Sequence, residues 1–185
     1  MSQTTKLPAI KLTLTALFMA MNIAFSSFGI PVPGGHIYLC DAVICLSAIL
    51  LGPFEAFIVG GIGSFLGDIL FYPLPMFVSL FTHGLQAMTI SFISHNTFKC
   101  SPRLASALGV AIGSVIMVTG YTLGKAFIYS TPAYAIMGIP YEALQATVGA
   151  FLGMILCWKL GVYKYYISTF KSRSRDLARD LRQRS

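Results

Sequence analysis

From Leu12 to Trp158 the charged residues are Asp41, Glu55, Asp68, Lys99, Arg103, Lys125 and Glu142. Uncharged runs separate them, several close to the ~20 apolar residues that cross a bilayer as a helix. A soluble fold needs charged surface, and this chain has too little to cover itself. Charged residues make up 10% and hydrophobic residues 56%, against about 25% and 45–50% in soluble domains. The pattern predicts an all-α integral membrane protein, multi-pass and resident in the cell membrane. The net charge of +7 comes mostly from the segment after Tyr163. Such a tail suits anionic lipid on a cytoplasmic face, and a chain otherwise immersed in lipid has no use for it on nucleic acid.

Taken in order, the runs read as six spans: Leu12–Ile30, Tyr38–Leu51, Ala56–Phe71, Met76–Ile93, Leu104–Tyr129 and Tyr141–Leu160. The first lacks a clean small-x-small cleavage site and reads as an uncleaved span rather than a signal peptide. Tyr38–Leu51 is short, so it should be buried by its neighbours or begin below the outer surface. Gly52–Glu55 forces a hairpin, Tyr72-Pro73-Leu74-Pro75 is a rigid break, and Ser130–Pro140 reads as a turn-rich loop. Twelve of the thirteen Lys and Arg residues then fall on one face, which places both termini in the cytoplasm. Lys125 is the exception. The expected organisation is a six-helix transmembrane domain over 1–165 and a basic cytoplasmic tail over 166–185, in which Leu177 and Leu181 sit one helical turn apart.

With that topology the uncommon polar residues gather in the outer half. Asp68 lies near the outer end of the third span. His83 lies roughly 12 Å down the fourth at 1.5 Å per residue, with Gln86 a turn below. Tyr121 and Lys125 share a face of the fifth, Glu142 and Gln145 open the sixth, and His36, Tyr38 and Asp41 belong to the outer first loop. Charges inside a bilayer are costly enough to mark pathways or sites, so a cavity open to the outside is expected here. Tyr38, Tyr72, Tyr134 and Tyr141 would stand at its rim. Each residue also has a plainer reading. Lys125 can snorkel or pair with Glu142 or Asp68, Glu142 can answer the dipole of a helix beginning after Pro140, Asp68 can cap an interface, and the tyrosines can form an interfacial belt.

Gly60-Gly61, Gly63 and Gly67 would let other helices approach one face of the third span closely, and Gly109/Gly113, Gly120/Gly124 and Gly149/Gly153 repeat the small-xxx-small spacing. Ala16, Ala20 and Ala24 form a smooth stripe on the first span, fit either for internal packing or for docking another membrane protein. The four cysteines show no ligand spacing, and no metal site or cofactor is expected. No GxxxxGK[ST] motif is present, so ATP hydrolysis by that route is excluded. Two other function classes deserve naming: an intramembrane serine protease built on Ser64 and His83, and a small channel or autonomous carrier, which six spans without an inverted repeat do not favour.

The segment GGHIYLCDAVICLSAILLGPFEAFIVGGIGSFLGD, with six spans and the Ala16/Ala20 stripe, resembles the substrate-binding S components of energy-coupling factor (ECF) vitamin transporters over residues 11–160. Within that family it is most similar to the branch assigned to hydroxymethylpyrimidine or vitamin B6. The resemblance implies a high-affinity vitamin-binding subunit that reorients in the membrane to release its substrate. Its implied partners are a transmembrane coupling T component, docked on Ala16, Ala20 and Ala24, and two cytoplasmic ABC-type ATPases. It implies binding residues at His36, Tyr38, His83, Gln86, Tyr121, Lys125, Glu142 and Gln145. Riboflavin and pantothenate are the alternative substrates. Trp158 lies near the cytoplasmic end, so no tryptophan is available to stack a thiamine- or biotin-type ligand.

Overall fold

The computed structural model describes residues 6–33, 35–98 and 100–171. Apart from one short hairpin, every element among the described residues is helical. Helix α1 (Lys6–Ser26) leads into antiparallel strands β1 (Ile30–Val32) and β2 (Gly35–Ile37), with Pro31 opposite His36. Then come α2 (Cys40–Leu50), α3 (Pro53–Phe71), α4 (Met76–Asn96), α5 (Pro102–Tyr129), α6 (Pro132–Lys159) and α7 (162–171). Helices α3 to α6 are each long and apolar enough to cross a membrane. Two shorter apolar stretches, Lys11–Ser26 and Cys40–Leu50, complete the bundle. Residues 172–185, including Leu177, Leu181 and most of the basic tail, lie outside the described residues.

Prolines set several of the starts. Pro53, Pro102 and Pro132 each occupy the first turn of a helix, where the missing N–H costs nothing and the fixed φ is already helical. At Pro132 the preceding Thr131 side chain accepts a hydrogen bond from the Tyr134 amide. This start overturns the expected loop over Ser130–Pro140: the helix begins at Pro132 and runs through Pro140. A proline inside a helix loses one backbone bond, but membrane-spanning helices tolerate it where neighbours supply packing. Ala135 and Gly138 are buried on that turn. Glu142 is therefore well inside α6, and the reading of it as an N-terminal dipole partner falls.

Helix α2 is the axis of the bundle. All eleven of its residues are buried, and it packs against α1, α4 and α6. Its shortness and its burial belong together, because it never faces lipid along its length. The glycine contacts explain how so much chain gathers round it. A Cβ on Gly60 or Gly61 would lie 2.6 or 2.7 Å from the α4 carbonyls of His83 and Leu80, and one on Gly149 would collide with the Cβ of Asp41. Helix α3 contains a π-helical turn over Ile58–Ile62, where the Gly63 amide reaches Ile58 O. Asn22 of α1, fully buried, donates to Val59 O at 2.7 Å and to Ser64 Oγ at 3.2 Å.

The outer surface of the bundle is apolar. Phe77, Phe81, Leu123, Phe127 and Ile128 are exposed, Phe127 at 80%. A contiguous apolar surface of that kind suits lipid, since water-soluble monomers rarely carry one. On α1 the buried positions are Thr15, Phe18, Asn22 and Ser26, at helical spacing. Ala16, Ala20 and Ala24 fall on the opposite, exposed face.

Candidate functional site

A cavity of about 50 Å³ lies beneath the hairpin. The hairpin and the link to α2 supply His36 and Tyr38, α3 and the turn after it supply Asp68, Tyr72 and Pro75, α5 supplies Met117, Tyr121, Lys125 and Tyr129, and α6 supplies Glu142 and Gln145. Six of the eight residues expected from the sequence thus stand on one wall: His36, Tyr38, Tyr121, Lys125, Glu142 and Gln145. His83 and Gln86 do not line it. They lie behind it, with the His83 ring edge-on to Tyr121 at 5.3 Å. Of the tyrosines expected at the rim, Tyr38 and Tyr72 line the cavity and Tyr134 is exposed. Tyr129 and Met117 were not foreseen. Tyr129 sits one turn beyond Lys125, so the helical spacing from Tyr121 would have found it.

The charges around the cavity are paired in an orderly way. Lys125 Nζ is 2.6 Å from Glu142 Oε1, with both side chains under 10% exposed. The contact is an ion pair rather than a well-directed hydrogen bond, since Oε1 has no aligned donor. Thr122 Oγ1 donates to the other oxygen, Oε2, at 3.1 Å. Gly138 makes this possible, because a Cβ there would lie 2.6 Å from Nζ. Of the alternatives open for Lys125, pairing with Glu142 is the one realised.

Beneath the cavity lies a second polar centre. Asp41, expected in the outer loop, instead occupies the first turn of α2 and is 0% exposed. A bare buried carboxylate would be prohibitively costly, and three residues offset that cost. Gln86 Nε2 donates to Oδ1 at 3.1 Å and Gln145 Nε2 donates to Oδ2 at 2.6 Å. His83 Nδ1 stands 3.7 Å from Oδ1 and 2.7 Å from Gln86 Oε1. Gln145 also accepts from the Tyr38 amide at 2.8 Å. A continuous chain of contacts therefore runs from α4 through Asp41 and Gln145 to the segment that carries the hairpin. Cys40, Asp41 and His83 bring potential ligand atoms within 4.8 Å of one another, but both Asp41 oxygens are already taken by the glutamine amides.

Burial, and then the Asp68 charge, push the Tyr38 phenol well above its ordinary pKa, so it stays a neutral donor. At the opposite end of the bundle, Trp158 stacks near Tyr163 and under the Arg103 guanidinium, away from the cavity. Ser64 is bonded to Asn22, and His83 to Gln86. Among the described residues no hydrogen bond joins Ser64 to His83, so the pair lacks the contact a nucleophile and its base require.

Residues 6–162 match the family described as ECF-type riboflavin transporter, S component. The chain belongs to the ECF-type S components. Among curated relatives, this S component is 30% identical over 148 residues to a Pyrococcus woesei protein described as an uncharacterized protein in the gap 3' region, covering 77% of this chain and 97% of that one. It is 30% identical over 151 residues to the thiamine precursor transporter HmpT of Lactococcus lactis subsp. cremoris, covering 79% of this chain and 84% of that one. A UPF0397 protein of Clostridium perfringens is 29% identical over 155 residues, 80% of each chain. The S component is thus a transport subunit and a multi-pass membrane protein.

Proposed function

We propose that the chain is the membrane-embedded, high-affinity binding subunit of an ATP-driven ECF importer, taking a single-ring nitrogen heterocycle from outside the cell. Hydroxymethylpyrimidine is the first candidate and a vitamin B6 vitamer the second. The observation that carries this reading is the small cavity under the hairpin, on which His36, Tyr38, Tyr121, Lys125, Glu142 and Gln145 converge. A volume of about 50 Å³ holds only a few water molecules. Ligand entry therefore requires the hairpin to lift. The relative named as a thiamine precursor transporter supports the pyrimidine.

In this reading the cavity residues contact the ligand, while His83 and Gln86 position Asp41, which in turn holds Gln145 and the Tyr38 backbone. The termini are cytoplasmic, and Lys11 pairs with Glu55 at 3.5 Å on that side. The exposed face of Ala16, Ala20 and Ala24 docks on the coupling T component, whose two ATPases drive the reorientation that releases substrate. Co-reconstitution with the coupling module tests this. Labelled hydroxymethylpyrimidine should accumulate only with ATP, and Ala20→Trp should abolish both accumulation and co-purification of the T component while leaving ligand binding intact. Accumulation by this chain alone would contradict the proposal and revive the autonomous carrier.

A further inference from the structure

We propose that Asp68 reads the nitrogen edge of the ligand and makes the cavity selective for molecules that carry an N–H donor beside a ring nitrogen. This rests on the cavity being the binding site, as argued above. Lys125 and Glu142 satisfy each other, and Asp41 has both oxygens occupied. Of the two acids that line the cavity, Glu142 faces Lys125, while Asp68 is in no ion pair among the described residues. Its residue is 8% exposed, and its Oδ2 is buried with no hydrogen-bond partner. Ser79 of α4 is its hydrogen-bonding neighbour, and His83 acts on it electrostatically; neither donates to Oδ2. Ser79 is itself shared with the Tyr121 hydroxyl.

A buried carboxylate oxygen without a donor costs folding free energy unless something supplies one. Lys125 is committed to Glu142, and His36, on the same cavity, has its own Nδ1 buried without a partner. A ligand in the cavity is placed to supply the donor that Oδ2 lacks. An amidine edge, an exocyclic amine next to a ring nitrogen, meets a carboxyl group with two parallel hydrogen bonds: the amine donates to one oxygen, and a single proton is shared between the other oxygen and the ring nitrogen. A ligand bearing a carboxylate or phosphate would place like charge against Asp68. The site accordingly selects against pantothenate-type and phosphorylated molecules, and prefers the aminopyrimidine to a pyridine lacking the amine.

A double-mutant cycle across protein and ligand tests this on the purified full chain in nanodiscs. Wild type and Asp68→Leu are each titrated with hydroxymethylpyrimidine and with its analogue lacking the exocyclic amine. Removing the amine should weaken wild-type binding by roughly 10- to 100-fold, the scale of a hydrogen bond to a charged group. Asp68→Leu, which can neither accept from the amine nor donate to the ring nitrogen, should weaken binding of the parent compound similarly and should no longer distinguish the two compounds. Equal loss for both compounds in Asp68→Leu, or undiminished binding, overturns the Asp68 assignment while leaving the proposed function standing. A wild-type protein that binds neither compound, nor any pyridine vitamer, overturns both. The amine deletion is read on the wild-type chain, so the test does not depend on the variant folding.

Discussion

Lys125 and Glu142 illustrate what an ion pair inside lipid demands of its surroundings. Each side chain is almost fully buried, and each neutralises the other across α5 and α6. Removing one partner strands the other, which for buried pairs costs about 3–5 kcal/mol, whereas replacing both by uncharged groups of similar size is often close to neutral. Lys125→Met should therefore lower unfolding stability in detergent by about that amount, and Lys125→Met with Glu142→Gln should recover most of it. Equal stability of the single and double variants would mean that the pair carries no structural weight. At this scale the sequence was partly legible. The residues of the cavity could be named because charged and aromatic groups are rare in this chain, so their helical spacing stands out. Asp41 could not be placed. Its position depends on Gln86 and Gln145, which are 45 and 104 residues away, and no local pattern reports so distant a partner.

Helices α2 and α6 meet through glycine, and that contact sets the position of Asp41 beneath the cavity. A side chain at Gly149 has no space, because Asp41 already fills it. Gly149→Ala should cost about 1–3 kcal/mol through overpacking and should weaken ligand binding as well, since displacing Asp41 loosens Gln145 and the Tyr38 amide. Gly161, with φ of 73° and open space around it, offers a contrast: substitution there strains the backbone without disturbing the site. A stability loss at Gly149 with unchanged binding would disconnect the lower polar centre from the cavity. The short second run was read from the sequence as either buried by its neighbours or starting below the outer surface, because it is short for a span, and burial is what the structure shows. The start of α6 was misread, because proline is ordinarily a helix breaker and the burial of Ala135 and Gly138 that overrides it is tertiary.

At the scale of the molecule, the proposed topology has the hairpin and cavity outside and the basic ends inside. The native cysteines provide a direct probe, since Cys100 is exposed while Cys40, Cys45 and Cys157 are buried. A membrane-impermeant thiol reagent should label Cys100 in inverted vesicles and leave it untouched in intact cells. The reverse pattern would turn the topology over and put the cavity on the wrong side for uptake. The central claim, a binding subunit for a single-ring nitrogen heterocycle, is tested most directly by native mass spectrometry of the full chain purified from cells grown in rich medium. The account predicts one equivalent of a bound aminopyrimidine or vitamin B6 vitamer, displaced when hydroxymethylpyrimidine is added. A bound flavin, a bound carboxylate or phosphate ester, or no retained molecule under saturating hydroxymethylpyrimidine would contradict it.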